Sequence, residues 1–545
     1  MDFKKLQNGS DIRGVAMEGI EGEGVTLTQE ASFAIGAAFC SWLSGRCGKD
    51  AAELKIALGR DSRLSGPDIL KAAASGMAAL GAEVLDCGLA STPAMFMACV
   101  FPETACDGAV MVTASHLPWN RNGMKFFTRD GGLDKADITE ILKKASEIWE
   151  AASKEDTGLK NESGVGAADL KSCSLMELYA AHLRKLISAG VGKDTGEGIG
   201  LRETAERKSG PLSGLHIVVD AGNGAGGFFA KEVLEPLGAD ITGSQFLEPD
   251  GRFPNHQPNP ENKEAMASIS RAVSSAKADL GIIFDTDVDR SAAVDSLGRE
   301  IARNDIVALA AALIADEHPG AAVVTDSVTS DELSDFLEGS KGTGGLGLRH
   351  LRYMRGYRNV INKAVELNKS GIDCQLAIET SGHAAYKENY FLDDGAYLAV
   401  KIVVRAALLK KEGKGIESLI SGLKHPLEAK EYRLPIPKEH EDFRAFGNEV
   451  LERLRVWAAA GQVGKSQAGY LSIRPNSGER DIELVSPNYE GVRIAFGKGA
   501  GDGWALLRLS LHDPIMPLNI ESREEGGCER IYGILKEAGV LGGLI

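Results

Sequence analysis

The chain is predicted to be an α/β protein of several units, the last of them α+β. Three observations carry this. The 545 residues exceed what one hydrophobic core organises; at about 150 residues per domain the length gives three to four domains. Apolar strand-like runs alternate with helical stretches for most of the chain, the βαβ rhythm of a parallel or mixed sheet covered by helices. Hydrophobic content of 43% and charged content of 25% are ordinary for a globular protein.

The elements follow in order. A strand at 55–59 precedes a helical stretch at 67–79, and a second strand follows at 82–85. Residues 108–112 (Gly-Ala-Val-Met-Val) read as another strand. A polar, Gly-rich span at about 192–214 reads as a linker or surface excursion, after which 215–220 open a second unit. The run 280–284 is a buried strand. A third unit begins near Ala302, with 323–326 as its first clear strand and 374–378 as a later one. Between Pro426 and Pro437 the pattern turns polar and Pro-interrupted; a helix at 441–459 and further strands follow. No repeat of short period is present.

Bulk charge narrows the function. A net charge of −16 argues against a nucleic-acid or anionic-membrane partner, which wants a basic surface. An anionic small molecule would have to be held by local Arg and Lys. Eight cysteines (Cys40, Cys47, Cys87, Cys99, Cys106, Cys173, Cys374 and Cys528) include no Cys-x-x-Cys pair, so no zinc or redox motif is visible and a reduced cytoplasmic setting is expected. The start carries no apolar signal region. The longest apolar run, 306–315, is far short of the roughly 20 residues a membrane helix needs.

Four segments carry chemistry. After the strand at 108–112 comes Thr113-Ala114-Ser115-His116-Leu117-Pro118-Trp119-Asn120-Arg121-Asn122-Gly123-Met124-Lys125, a hydroxyl beside an imidazole with a Lys ten residues on. Such a loop can hold a Ser nucleophile or a phosphoserine, or be polar surface. The strand at 280–284 ends in Asp285, Asp287 and Asp289, followed by Arg290. Like charges so close repel unless a hard cation such as Mg²⁺ gathers them. An EF-hand would need Gly and Glu where Arg290 and Ser296 stand. Glu379, Ser381 and His383 share one turn after the strand at 374–378: a polyol reader or the N-cap box of the next helix. Finally, a strand from Gly503 leads to Arg508, Ser510 and His512, whose alternation would put all three on one side of an extended chain able to grip a phosphate. Gly222 to Gly227 match the dinucleotide fingerprint, but the glycines read better as backbone needs of a tight strand-to-helix turn.

Together these loops, in this order, resemble the α-D-phosphohexomutase family. The phosphoserine loop matches at Thr113, Ala114, Ser115, His116, Pro118, Asn122, Gly123 and Lys125, and the metal loop at Asp285, Asp287, Asp289 and Arg290. The sugar loop matches at Glu379, Ser381, Gly382 and His383, with Ile378 in place of a Gly. Residues 10–14, 59–63 and 249–260 resemble flanking family signatures. The departures are Leu117 and Trp119 in the first loop, His512 and Asp513 for Thr-Glu in the last, and Arg355 near the place of a usual Lys.

The resemblance implies three similar α/β domains with mixed sheets (1–205, 206–302 and 303–428) and a smaller α+β domain (429–545) around a central cleft. It implies a phosphohexomutase shifting phosphate between C1 and C6 of glucose or mannose through a phosphoserine at Ser115 and a bisphosphorylated intermediate. One Mg²⁺ would sit on Asp285, Asp287, Asp289 and the Ser115 phosphate, with hexose 1,6-bisphosphate as activator. Arg13, Lys125 and Arg290 would balance the phosphoserine, and Lys125 or His116 would move the proton. Glu379, Ser381 and His383 would bind sugar, and Arg508, Ser510 and His512 the distal phosphate. A monomer or homodimer is expected. Two other readings are weighed against this one: a haloacid-dehalogenase-type phosphatase using Asp285, which leaves the Ser115 loop unexplained, and a non-catalytic sugar-phosphate binder, suggested by the altered last loop.

Overall fold

The computed structural model describes residues 1–154, 170–193, 210–440, 442–460, 482–510 and 513–544. The chain divides into two compact units, Met1–Glu317 with Gln375–Ser421, and His318–Cys374 with Gly422–Ile545.

The first unit opens on a mixed sheet. Its order is Gln7–Asn8, Asp11–Val15, Arg121–Thr128, Gly108–Val112, Lys55–Arg60, Glu83–Leu89 and Lys171–Ser172, with Gly131–Gly132 pairing beside Arg121–Thr128. Lys55–Arg60 runs parallel to both Glu83–Leu89 and Gly108–Val112, whereas Arg121–Thr128 is antiparallel to Gly108–Val112 and Asp11–Val15. The strands 108–112 and 121–128 are almost wholly buried, as expected of a sheet covered on both faces. Covering helices include Gln29–Cys47 and Gly66–Ala78. The first starts where Thr28 accepts a hydrogen bond from the Ala31 amide; the second has Pro67 in its first turn. Phe39, Trp42 and Leu43 of the first helix and Phe126 of the sheet share one core, with the Phe39 and Phe126 ring centroids 4.9 Å apart.

A second sheet of the same unit has the order Glu300–Ile301, Ser291–Asp295, Leu280–Phe284, Ile217–Asp220. Leu280–Phe284 is parallel to Ile217–Asp220 and antiparallel to Ser291–Asp295. The glycine-rich turn after Asp220 is a backbone device: a Cβ on Gly224 would lie 2.6 Å from the Thr286 carbonyl oxygen. The dinucleotide look-alike is thus a close approach onto the loop that carries the three aspartates. Further on, strands Cys374–Ile378, Ala384–Tyr386 and Leu392–Asp393 form antiparallel pairs, and helix Gly395–Lys411 follows.

In the second unit, Ala322–Thr325 and Arg349–Arg352 pair in parallel. A five-stranded antiparallel sheet, Glu428–Pro435, Ile515–Ser522, Gly503–Leu507, Val492–Phe496 and Ile482–Leu484, carries helices Phe443–Ala460 and Gly527–Glu537. The C-terminal part is α+β, as the sequence suggests. Among the described residues no helix is long and apolar enough to cross a membrane. The anticipated linker falls mostly on residues 194–209, outside the described residues.

Candidate active site

Two loops of the first unit bring the acidic and nucleophilic groups together. The strand Gly108–Val112 ends in the Ser115 loop, and Leu280–Phe284 ends in the aspartate loop. Ser115 has φ +51° and Val288 φ +69°. Left-handed backbone is uncommon for any residue other than glycine and costly for the β-branched Val288, so each loop holds one sparsely populated backbone position, the more strained one at Val288. Ser115, Asp285, Asp287 and Asp289 are 1%, 0%, 0% and 1% exposed.

Ser115 Oγ donates to Asp285 Oδ2 at 3.0 Å and accepts from Arg290 Nη2 at 3.1 Å. His116 Nδ1 lies 3.3 Å from Ser115 Oγ and accepts from the same guanidinium at 2.6 Å. A guanidinium only donates, so Nδ1 carries no proton here. Burial, then the charge of Arg290, pushes the His116 pKa down to about 2, so the ring is neutral. Lys125 Nζ donates to Asp287 Oδ2 at 2.9 Å and also to Asp289. Burial opposes the Asp289 charge, but Lys125 outweighs it and holds that carboxyl below the ordinary range. Burial, with Asp289 and Asp287 adding repulsion, pushes Asp285 well above that range. Arg13 stands beside the loop: Nη2 donates to Asp11 Oδ2 at 3.0 Å and Nη1 to the Ala114 carbonyl at 3.5 Å.

The carboxylate oxygens of Asp285, Asp287 and Asp289 lie within 4.8 Å of one another. Asp287 Oδ1 and Asp289 Oδ1 are buried with no hydrogen-bond partner. Buried carboxylate oxygens are costly without donors, and a hard divalent cation satisfies them. The residues therefore fit Mg²⁺.

The sugar-loop candidates belong to the same unit. Residues 379–383 make the turn between Cys374–Ile378 and Ala384–Tyr386, closed by Glu379 N donating to the His383 carbonyl at 2.9 Å. The N-cap alternative fails, because the next α-helix begins at Gly395 and is capped by Asp394, which accepts from the Tyr397 amide. Gly382, at φ +92°, lies so close to Ser291 that a Cβ would sit 2.6 Å from its carbonyl oxygen. Arg290 and His383 form an isolated β-bridge, so the sugar loop is tied by backbone to the aspartate loop. Glu379 and Ser381 are buried.

Two residues in this region escaped the sequence reading. Arg63 was seen only as part of a turn. It is fully buried, paired with Asp61 through Nε at 3.2 Å, and its guanidinium donates to the carbonyls of Ser115, Leu117, Pro118 and Arg121 at 2.5 to 2.9 Å. One cation thus shapes the whole Ser115 loop. Asp393 lies 2.5 Å from His383 Nδ1 through Oδ2, fixing the ring. Burial, then Arg290, lowers the His383 pKa to about 4.

In the second unit, Arg508 follows the strand Gly503–Leu507 and is 7% exposed. Its Nε has no hydrogen-bond partner, Nη2 reaches Asn519 Oδ1 at 3.5 Å, and Nη1 is 3.9 Å from Glu490 Oε1. Burial lowers its pKa. Ser510 Oγ accepts from the Asp513 amide at 3.2 Å. The strand ends at Leu507, so the expected alternation does not extend through Ser510 as regular strand. His512 lies outside the described residues.

Models of phosphoglucomutase/phosphomannomutase α/β/α domains I, II and III match residues 4–152, 200–298 and 302–425, together well over half of the chain. The chain belongs to the phosphoglucomutase/phosphomannomutase family, the α-D-phosphohexomutases. It is 27% identical over 527 residues to a phosphomannomutase/phosphoglucomutase of Pseudomonas aeruginosa, covering 96% of this chain and 93% of the relative. It is 28% identical over 531 residues to a phosphoglucomutase of Neisseria gonorrhoeae, covering 96% and 95%. A solved phosphoglucomutase/phosphomannomutase family protein from Burkholderia thailandensis shares the fold, with a TM-score of 0.70, 24% identity and 98% of both chains covered. The protein is a phosphohexomutase, an enzyme of the isomerase class that transfers phosphate within its substrate. The phosphatase and non-catalytic readings are not favoured; the contact of Ser115 with Asp285 also accounts for the loop that the phosphatase reading leaves idle.

Proposed function

We propose that this phosphohexomutase interconverts the 1- and 6-phosphates of glucose, mannose or both, with Ser115 as phosphoryl carrier. One observation carries the reading: Ser115 Oγ is held at about hydrogen-bond distance between a carboxylate of the aspartate loop and the Arg290 guanidinium. Phosphoryl transfer is mostly positioning and charge neutralisation, and those groups provide both.

Asp285, Asp287 and Asp289, with a phosphate oxygen on Ser115, would hold one Mg²⁺. Bound there it would supply positive charge for the transferring oxygens. Arg290 stays protonated: burial works against its charge, but Asp285 and Asp289 outweigh that and raise its pKa. It can therefore follow the phosphate of roughly −2 charge that Ser115 carries. Lys125 neutralises Asp287 and Asp289, and Arg13 braces the Ala114 carbonyl beside the nucleophile.

In the forward half, the Ser115 Oγ–P bond breaks, a P–O bond to the sugar hydroxyl forms, and that hydroxyl's proton ends on Ser115 Oγ. His116 and Lys125 border this route. The hexose 1,6-bisphosphate so formed turns over and returns its other phosphate to Ser115; the same compound added from outside would prime an unphosphorylated enzyme. Glu379, Ser381 and His383 would bind sugar hydroxyls, and Arg508 and Ser510, with His512, the non-reacting phosphate. We divide the chain at 205, 302 and 428 into four domains. We place the enzyme in the cytoplasm as a monomer or homodimer, consistent with eight cysteines that form no disulfide.

The test is a coupled assay with glucose 1-phosphate and mannose 1-phosphate offered separately, with Mg²⁺ and a trace of hexose 1,6-bisphosphate. Conversion to the 6-phosphate by the wild type, with a loss of at least a thousandfold in Ser115→Ala, is expected. Equal rates in both proteins would remove Ser115 from the reaction.

A further inference from the structure

Glu490 stands in the second unit where an anion is gripped. One carboxylate oxygen, Oε2, accepts from the Arg355 amide at 3.1 Å and from the Ser327 hydroxyl. The other lies 3.9 Å from Arg508 Nη1. A guanidinium, a backbone amide and a hydroxyl therefore converge on one carboxylate whose side chain is 19% exposed. That donor set is the one expected around a phosphate monoester.

The grip on Glu490 is incomplete. At 3.9 Å the Arg508 contact is a charge contact beyond hydrogen-bond length. Arg508 Nε has no partner at all, and the bond to Asn519 is long. A buried guanidinium left in this state is costly. Two oxygens of a tetrahedral phosphate could satisfy its Nε–Nη fork, whereas the Glu490 carboxylate, tethered by Ser327 and Arg355, does not reach it.

We infer that Glu490 is a resident counter-ion in the distal-phosphate site, displaced when the sugar phosphate binds. It offsets the Arg508 charge in the empty enzyme and gives up its donors to the phosphate, since a carboxylate and a phosphate on the same donors would repel. The inference rests on the reading of Arg508 as the distal-phosphate residue. Its consequence has a definite sign: Glu490 competes with substrate, so removing its charge tightens phosphate binding and slows release.

The test uses the full-length enzyme and inorganic phosphate in titration calorimetry, with Arg508→Gln defining the Arg508-dependent binding. Glu490→Gln keeps the side chain's size, and its melting curve checks folding. Glu490→Gln is expected to tighten the Arg508-dependent phosphate binding by about three- to tenfold and to lower KM for the hexose 1-phosphate. Unchanged or weaker phosphate binding in a folded Glu490→Gln protein, with binding still lost in Arg508→Gln, would overturn the inference while leaving the distal-phosphate reading intact. Phosphate binding that survives Arg508→Gln would overturn both. A folded Glu490→Gln is essential to this contrast; should it melt early, Glu490→Asp, too short to hold all three donors, is expected to tighten binding in the same direction, and weaker binding there overturns the inference.

Discussion

The Ser115–aspartate centre and the Arg508 cluster hold charge in opposite ways. In the first, the Lys125 cation is shared between Asp287 and Asp289, and Arg290 divides its donors between Ser115 and His116. In the second, Arg508 is buried with one nitrogen idle and its nearest carboxylate out of hydrogen-bond reach. The difference teaches where each region keeps its readiness. The Ser115 centre is assembled in advance around an anionic group; its Arg290 Nε makes no hydrogen bond but lies within 4 Å of Asp285 and Asp289, while Asp287 Oδ1 and Asp289 Oδ1 are left without donors, so it calls for a cation. The distal cluster leaves donor capacity unsatisfied, so it calls for an anion.

The largest expected break in this contrast comes from the reacting centre. Asp287→Asn removes a charge shared by Lys125 and one of the unpartnered oxygens. Turnover should fall at least a thousandfold with a melting temperature within a few degrees of wild type. Activity within tenfold of wild type would show that the aspartate loop does not serve the chemistry.

Arg63→Met should come next. It strips four carbonyls of the Ser115 loop of their donor and leaves Asp61 buried and unpaired, a kind of loss that costs about 3–5 kcal/mol. A clear drop in melting temperature together with a large fall in kcat is expected; a variant as stable and active as wild type would contradict the bracing role.

A smaller, more selective effect belongs to the Arg508 cluster. Arg508→Gln should raise KM for the hexose phosphate about tenfold or more while kcat, at saturation, changes less. An equal fall of kcat with KM unchanged would place Arg508 in the reacting step instead.

The smallest effect lies in a group that serves the fold. Asp394 caps helix Gly395–Lys411 and accepts from Tyr179 Oη at 2.7 and 2.8 Å. Burial nevertheless raises its pKa to about 6, above its value of about 4 in an unfolded chain. Between those values the native state binds more protons, so the stability it contributes is complete below about pH 4 and is lost as pH rises through about 6. The slope is at most about 1.4 kcal/mol per pH unit. Asp394→Asn should flatten that part of the urea-midpoint profile between pH 4.5 and 6.5; a profile as steep as wild type would refute the assignment.

How much of this was legible in the sequence follows from distance along the chain. Ser115 and the Asp285–Arg290 run were readable because each motif is a short loop after an apolar strand, its spacing set by local backbone. The glycine turn at Gly224 was also readable as a backbone need, although its contact with Thr286 was not. What stayed hidden is non-local. Arg63 meets carbonyls 52 to 58 residues away. Glu490 meets Ser327 and Arg355 across 163 and 135 residues. Asp393 stands only ten residues from His383, yet nothing in the spacing shows that the returning strand Leu392–Asp393 lays it against that ring. The N-cap option for residues 379–383 stayed open because a polar turn before a helix and one inside a hairpin carry the same residue types.

The most direct test of the central claim is to find the phosphate. Wild-type enzyme incubated with glucose 1,6-bisphosphate and Mg²⁺, then digested and mapped by mass spectrometry, should carry one phosphate on Ser115, and the label should leave when excess hexose 6-phosphate is added. A phosphate on another residue, or none on Ser115 in enzyme that is turning over, would contradict the account.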